Sequence, residues 1–144
     1  MARILSVFVA LFVASASVAA PVEYRQVGDL ACNIDRLKIV AGLLSTGAAV
    51  NKIDTTDPAT ATSVAAAQAG LTTAGDAIKD IALALVTGKA APASSRTGVS
   101  QGLNDTRSAL ERITDPTVNA TVAAALSQLQ AAIDDGNDVI ADCK

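Results

Sequence analysis

The chain has 144 residues, no histidine, no tryptophan and two cysteines. Without histidine the Ser-His-Asp and Cys-His routes of nucleophilic catalysis are excluded, and two cysteines are too few for a zinc site. Eleven Lys and Arg against fourteen Asp and Glu leave a net charge of −3, the opposite of the basic stripe that a nucleic-acid surface requires.

In chain order, residues 1–20 read as a secretory signal peptide. Arg3 supplies the positive start, residues 4–13 are apolar except Ser6, and Val18 and Ala20 are the small residues of a cleavage site before Pro21. The run is shorter than the roughly 20 apolar residues of a membrane span. No later stretch is long and uncharged enough, so no transmembrane segment is expected. Residues 21–144 then form a single domain, secreted and extracellular. In that oxidising setting Cys32 and Cys143 are expected to form one disulfide.

Apolar spacing predicts four helices. The first covers 22–50, on the stripe Val27, Leu30, Ile34, Leu37, Ala41, Leu44 and Ala48, whose alternating steps of three and four trace one helical face. The second opens at Asp57-Pro58, an N-cap followed by a proline suited to the first helical position, and Gly88 stops it. Its stripe is Val64, Ala67, Leu71, Ala74, Ile78, Ile81 and Leu85, and Gly70 and Gly75 weaken it. A linker with Pro92 follows over 89–95. The third helix, 94–113, uses Val99, Leu103, Thr106, Leu110 and Ile113. The fourth opens at Asp115-Pro116 and runs on Val118, Val122, Ala125, Leu129, Ala132, Gly136, Val139 and Cys143.

The second and fourth helices match without a gap. Thr56-Asp57-Pro58 corresponds to Thr114-Asp115-Pro116, Val64-Ala65-Ala66-Ala67 to Val122-Ala123-Ala124-Ala125, and Leu71, Ala74, Asp76 and Asp80 to Leu129, Ala132, Asp134 and Asp138. The preceding helices end alike in Val50-Asn51-Lys52-Ile53 and Leu110-Glu111-Arg112-Ile113. This reads as a duplicated helical hairpin. Short connections make neighbours antiparallel, so the expected fold is all-α, an antiparallel up-down-up-down four-helix bundle. That topology puts Cys32 and Cys143 at one end.

The stretch from Leu103 to Cys143 is a run of Ala-Leu, Asp and Thr units, as in Ser108-Ala109-Leu110-Glu111 and Leu126-Ser127-Gln128-Leu129, and the helix from Tyr24 to Leu44 has a similar pattern. In this composition the chain resembles the fungal hydrophobic-surface-binding and cell-wall mannoprotein family. The resemblance implies a secreted helical bundle that adsorbs to hydrophobic surfaces or holds a fatty acid in a central cavity. It transfers no binding residue.

Functional expectations are correspondingly plain. The chain is expected not to be an enzyme, to use no metal or cofactor and to bind no nucleic acid. Its aromatic-free, alanine-rich seam would either pack dry or leave an apolar channel for an acyl chain. The leading expectation is a non-enzymatic protein that binds a fatty acid, another lipid or a hydrophobic surface. Leu37, Leu44, Leu71, Ile78, Leu129 and Ile133 are the candidate contacts. The alternative is an extracellular structural or protein-interaction module with a dry core. Two sequons, Asn104-Asp105-Thr106 and Asn119-Ala120-Thr121, mark Asn104 and Asn119 as candidate glycosylation sites.

Overall fold

The computed structural model describes residues 30–143. The signal-peptide reading and the start of the first predicted helix, with Val27, lie outside them. Four α-helices carry the fold: α1 (Leu30–Val50), α2 (Pro58–Val86), α3 (Ala93–Glu111) and α4 (Asn119–Asp142). No strand occurs among the described residues.

The ends of the helices follow from local chemistry. The Asp57 carboxylate accepts from the Thr60 backbone N–H at 2.7 Å, satisfying one of the donors that a helix start leaves over. That bond holds its carboxyl below the usual aspartate range. At the other end of α2, Gly88 takes φ 72°, a left-handed conformation open to glycine at no steric cost. It lets Gly88 N–H reach the Leu85 carbonyl and Lys89 N–H the Ala84 carbonyl, at 3.0 and 2.8 Å, the paired bonds of a Schellman stop. Asp115 behaves differently from Asp57. It accepts from Thr117 N–H at 2.9 Å and opens a single 3-10 turn, Pro116–Val118, so α4 begins three residues later than the Asp-Pro signal predicts.

The helices associate as two close pairs, α1 with α4 and α2 with α3, while α1 with α2 and α3 with α4 touch sparsely. Both pairs are antiparallel, because residues rising along one helix meet residues falling along the other. Gly42 faces Ala132 and Ile39 faces Gly136, whereas Gly70 faces Thr106 and Ala77 faces Gly98. Small residues set the spacing. A Cβ on Gly102 would stand 2.5 Å from the Gly70 carbonyl oxygen and 2.6 Å from the Ala74 nitrogen, and a Cβ on Gly42 would stand 2.8 Å from the Ala132 Cβ. A threonine one turn on from each of Gly42 and Gly102 completes the seam. Thr46 donates to the Gly42 carbonyl at 2.8 Å, and Thr106 donates to the Gly102 carbonyl at 2.8 Å and across the pair to Ala67 at 3.3 Å.

These equivalences make the two hairpins copies. Gly42, Leu43, Thr46, Ala49 and Ile53 in the first recur as Gly102, Leu103, Thr106, Ala109 and Ile113 in the second, each 60 positions on. Ala74 and Ala132, which receive the two glycines, are 58 positions apart. The two-residue difference falls in the turn, which runs from Ile53 to Asp57 in one copy and from Ile113 to Asp115 in the other. Each close pair therefore joins one hairpin to the other.

The stripes predicted for α2, α3 and α4 point inward. Val64, Ala67, Ala74, Ile78, Val99, Leu103, Thr106, Leu110, Ile113, Val122, Ala125, Leu129 and Ala132 are all buried. The stripe predicted for α1 does not. Leu30, Ile34, Leu37 and Leu44 are exposed, and the buried row is Cys32, Asp35, Ile39, Thr46 and Val50. Helix α1 is apolar on two faces, and the face carrying Gly42 wins because only there does its backbone come close to α4. The polar members of that row, Asp35 and Thr46, are neutralised locally. Lys38 donates to Asp35 at 2.7 Å, and Thr46 bonds within its own helix.

Two alanine substitutions separate packing from propensity. Gly102→Ala is expected to lose at least about 1 kcal/mol net, the overpacking cost exceeding the helix gain. Gly75→Ala, with nothing within 4 Å of the new methyl, is expected to gain about 0.5–1 kcal/mol. Denaturant unfolding of the two variants beside the parent chain measures both signs.

Candidate functional site

At the end where α1 and α3 finish, Val50, Ile53, Leu110, Ile113, Val118 and Val122 belong to the buried core cluster. At the opposite end, where α1 and α3 begin and α2 and α4 finish, a half-open cavity of about 220 Å³ lies among all four helices. Its position follows from the seam. The glycine contacts hold each pair together, and the space is left where pair meets pair.

The wall is mainly aliphatic. Ile39 and Val40 come from α1, Ile78, Ile81, Ala82 and Leu85 from α2, Val99 and Leu103 from α3, and Ile133, Val139 and Ile140 from α4. Ser100, Asn104 and Asn137 add polar groups. Among the described residues the charged members of the lining are Arg36 and Arg96. Arg36 is partly buried, donates to Asn33 Oδ1 at 3.2 Å, and has its pKa lowered by loss of solvent around the guanidinium. Arg96 is exposed and enters no hydrogen bond or ion pair through its side chain among the described residues.

The lining repeats across the two hairpins. Arg36 and Arg96, Ile39 and Val99, and Val40 and Ser100 are each 60 positions apart. Ile81 and Val139, Ala82 and Ile140, and Leu85 and Cys143 are each 58 apart. The same offsets relate the two glycine seams, so both hairpins contribute corresponding residues to the cavity.

The candidate contacts divide three ways. Ile78 and Ile133 line the cavity. Leu129 is fully buried in the core and Leu71 is partly buried against it, and neither reaches the cavity. Leu37 and Leu44 are 49% and 47% exposed on the outer face of α1, because the face carrying Gly42 is the one turned inward. Spacing of apolar residues missed Arg36 and Arg96. The signal that finds them is the 60-residue alignment of α1 with α3.

The cysteine pair is formed. Cys32 and Cys143 are bonded, their Cα atoms 5.0 Å apart, and join the first turn of α1 to the end of α4. Cys143 is part of the cavity wall, so the bond closes the bundle at the end where its helices are least packed. Of the sequons, Asn104 and Asn119 are both exposed. The hydroxyl of Thr106 is fully buried in the α2–α3 seam, and Thr121 is partly buried.

The described helices include none long and apolar enough to cross a membrane. The chain matches no protein-family model, no curated protein and no solved structure.

The bond spans 111 positions. Replacing both cysteines by serine is expected to lower stability by up to roughly 4–5 kcal/mol. Thermal unfolding should then shift down by roughly 10–20 °C, which calorimetry with and without reductant measures.

Proposed function

We propose that this is a secreted, non-enzymatic helical protein that binds an apolar ligand, a fatty acid or another single-chain lipid, in the end cavity of its bundle. The observation that carries this reading is an aliphatic cavity of about 220 Å³ open on one side. It is larger than the ~150 Å³ engineered apolar cavity that takes up benzene, and somewhat below the ~300–1,000 Å³ of drug-sized pockets. That size suits part of one chain and excludes bulky polycyclic compounds. The disulfide supports an oxidising location. The likeness to the fungal hydrophobic-surface-binding family points the same way.

At about 30 Å³ for each methylene, roughly seven fit, and each contributes about 0.8 kcal/mol on leaving water. The resulting gross stabilisation of about 6 kcal/mol sets an upper bound on affinity, a Kd of about 10⁻⁴ M or weaker once the cost of association is met. Displacement of a fluorescent fatty acid by unlabelled decanoate is expected to report binding in this range. Ala82→Phe, which places a ring against the wall, is expected to abolish it with the helix content unchanged. No uptake by the parent chain rejects the reading and leaves the interaction module.

A second reading, adsorption to a hydrophobic surface, is favoured by the outer face of α1. Leu30, Ile34, Leu37 and Leu44 are exposed along one side of that helix, with Ala41 and Ala48 between and beyond them. Such a stripe is the kind of face that amphipathic helices lay on interfaces. Leu37→Glu with Leu44→Glu is expected to reduce retention on hydrophobic beads several-fold while leaving cavity binding as it was. Unchanged retention removes this reading alone.

A further inference from the structure

One row of apolar side chains is left uncovered among the described residues. Leu30, Ile34, Leu37, Ala41, Leu44 and Ala48 follow one another along α1 at alternating steps of four and three, and all are exposed. Such steps give a period of 3.5 residues, the heptad spacing of a helix that packs along another helix. Leucine takes each d position, at Leu30, Leu37 and Leu44, and Ile34, Ala41 and Ala48 take the a positions. At 3.6 residues per turn the row lies within about 80° of arc, the width of a coiled-coil seam. Of the positions that flank it, only Lys38 is charged, and its charge is held by Asp35 of the same helix at 2.7 Å.

The row is complementary to itself when reversed. Set antiparallel against a second copy, about a two-fold axis level with Ile39, Leu30 of one copy meets Ala48 of the other, Ile34 meets Leu44, and Leu37 meets Ala41. Each layer pairs an a position with a d position, and alanine always lies opposite leucine. A large side chain thus finds room against a small one. A parallel pairing would stack alanine on alanine at 41 and again at 48 and leave gaps between leucine layers. We propose that α1 is the interface of an antiparallel homodimer, isologous because the same row serves both copies. The interface is independent of the cavity. It covers the face that adsorption to a hydrophobic surface would use, so dimer and adsorbed chain compete. Helix α1 is already folded in the bundle, so pairing orders little that was free. It has 21 residues, a strip about 32 Å long and about 10 Å wide. That is below the ~1,200 Å² of total buried surface of a stable complex, which makes the dimer weak and reversible. A dissociation constant of roughly 10⁻⁵ to 10⁻⁴ M follows for that class.

Sedimentation equilibrium of the disulfide-intact protein, from roughly ten-fold below to ten-fold above that range, tests the proposal. The mass is expected to rise from one copy to two and to stop there. Added salt should not weaken the dimer, because its contacts are apolar. Leu37→Glu with Leu44→Glu, both at exposed positions, is expected to keep the chain monomeric throughout with its helix content unchanged. Oxidising a mixture of Ile34→Cys and Leu44→Cys chains reads the direction of pairing. The antiparallel layers predict a covalent dimer between the two kinds of chain and little of either kind with itself. Cross-linking of each kind only with itself overturns the antiparallel seam. A dimer that survives the double glutamate variant places the interface elsewhere and overturns the proposal. So does a parent chain that stays monomeric throughout, and retention of that monomer on hydrophobic beads would assign the row to surfaces instead.

Discussion

Two backbone approaches govern the molecule. On α3, Gly102 lies so near Gly70 and Ala74 that even a methyl group has no room, and on α1, Gly42 lies against Ala132 in the same way. Such contacts set the distance between helices by backbone and not by side-chain size. The core can therefore be built from alanine, valine, leucine and isoleucine without aromatic filling. Dispersion across a close-packed seam substitutes for large buried side chains. Thr46 and Thr106 fit this scheme because each hydroxyl is satisfied by a carbonyl one turn back, so burying it leaves no donor orphaned.

The same constraint explains where the cavity is. Close approach operates within the α1–α4 and α2–α3 pairs. The two pairs contact each other through ordinary side chains, and a residue as small as Ala82 in the wall leaves room between them. The disulfide holds the α1–α4 pair at that end, keeping the wall defined where packing is thinnest. An apolar space bounded by two rigid pairs is largely preformed, so a ligand entering it would have little ordering cost to meet.

Much of this was legible in the chain itself. Asp57-Pro58 and Gly88 mark the ends of α2, the inward faces of α2, α3 and α4 follow from spacing, and the compartment logic of the cysteines anticipates their bond. What misled was α1. Its purest apolar row, through Leu30, Ile34, Leu37 and Leu44, faces outward. Hydrophobic periodicity weighs side chains and cannot see a contact made by a glycine backbone. The buried row is interrupted by Asp35 and Thr46, and so scored as the lesser face. Laying α1 over α3 would have corrected it, since Ile39, Thr46 and Val50 fall on Val99, Thr106 and Leu110, members of a stripe read correctly. The cavity was less legible, because it is the difference between a close spacing and an ordinary one. No short motif encodes that difference.

The repetition of the lining has a consequence for any occupant. The sequence offsets pair Arg36 with Arg96, Ile39 with Val99 and Ile81 with Val139 in the wall. A chain lying in the cavity thus meets related residues from both hairpins. What distinguishes the two sides is where the copies differ. Ser100 and Asn104 border the space on α3, where α1 offers Val40 at the position matching Ser100, while Leu44, which matches Asn104, lies on the outer face. The pocket therefore has a wetter side on α3 and a greasier one on α1.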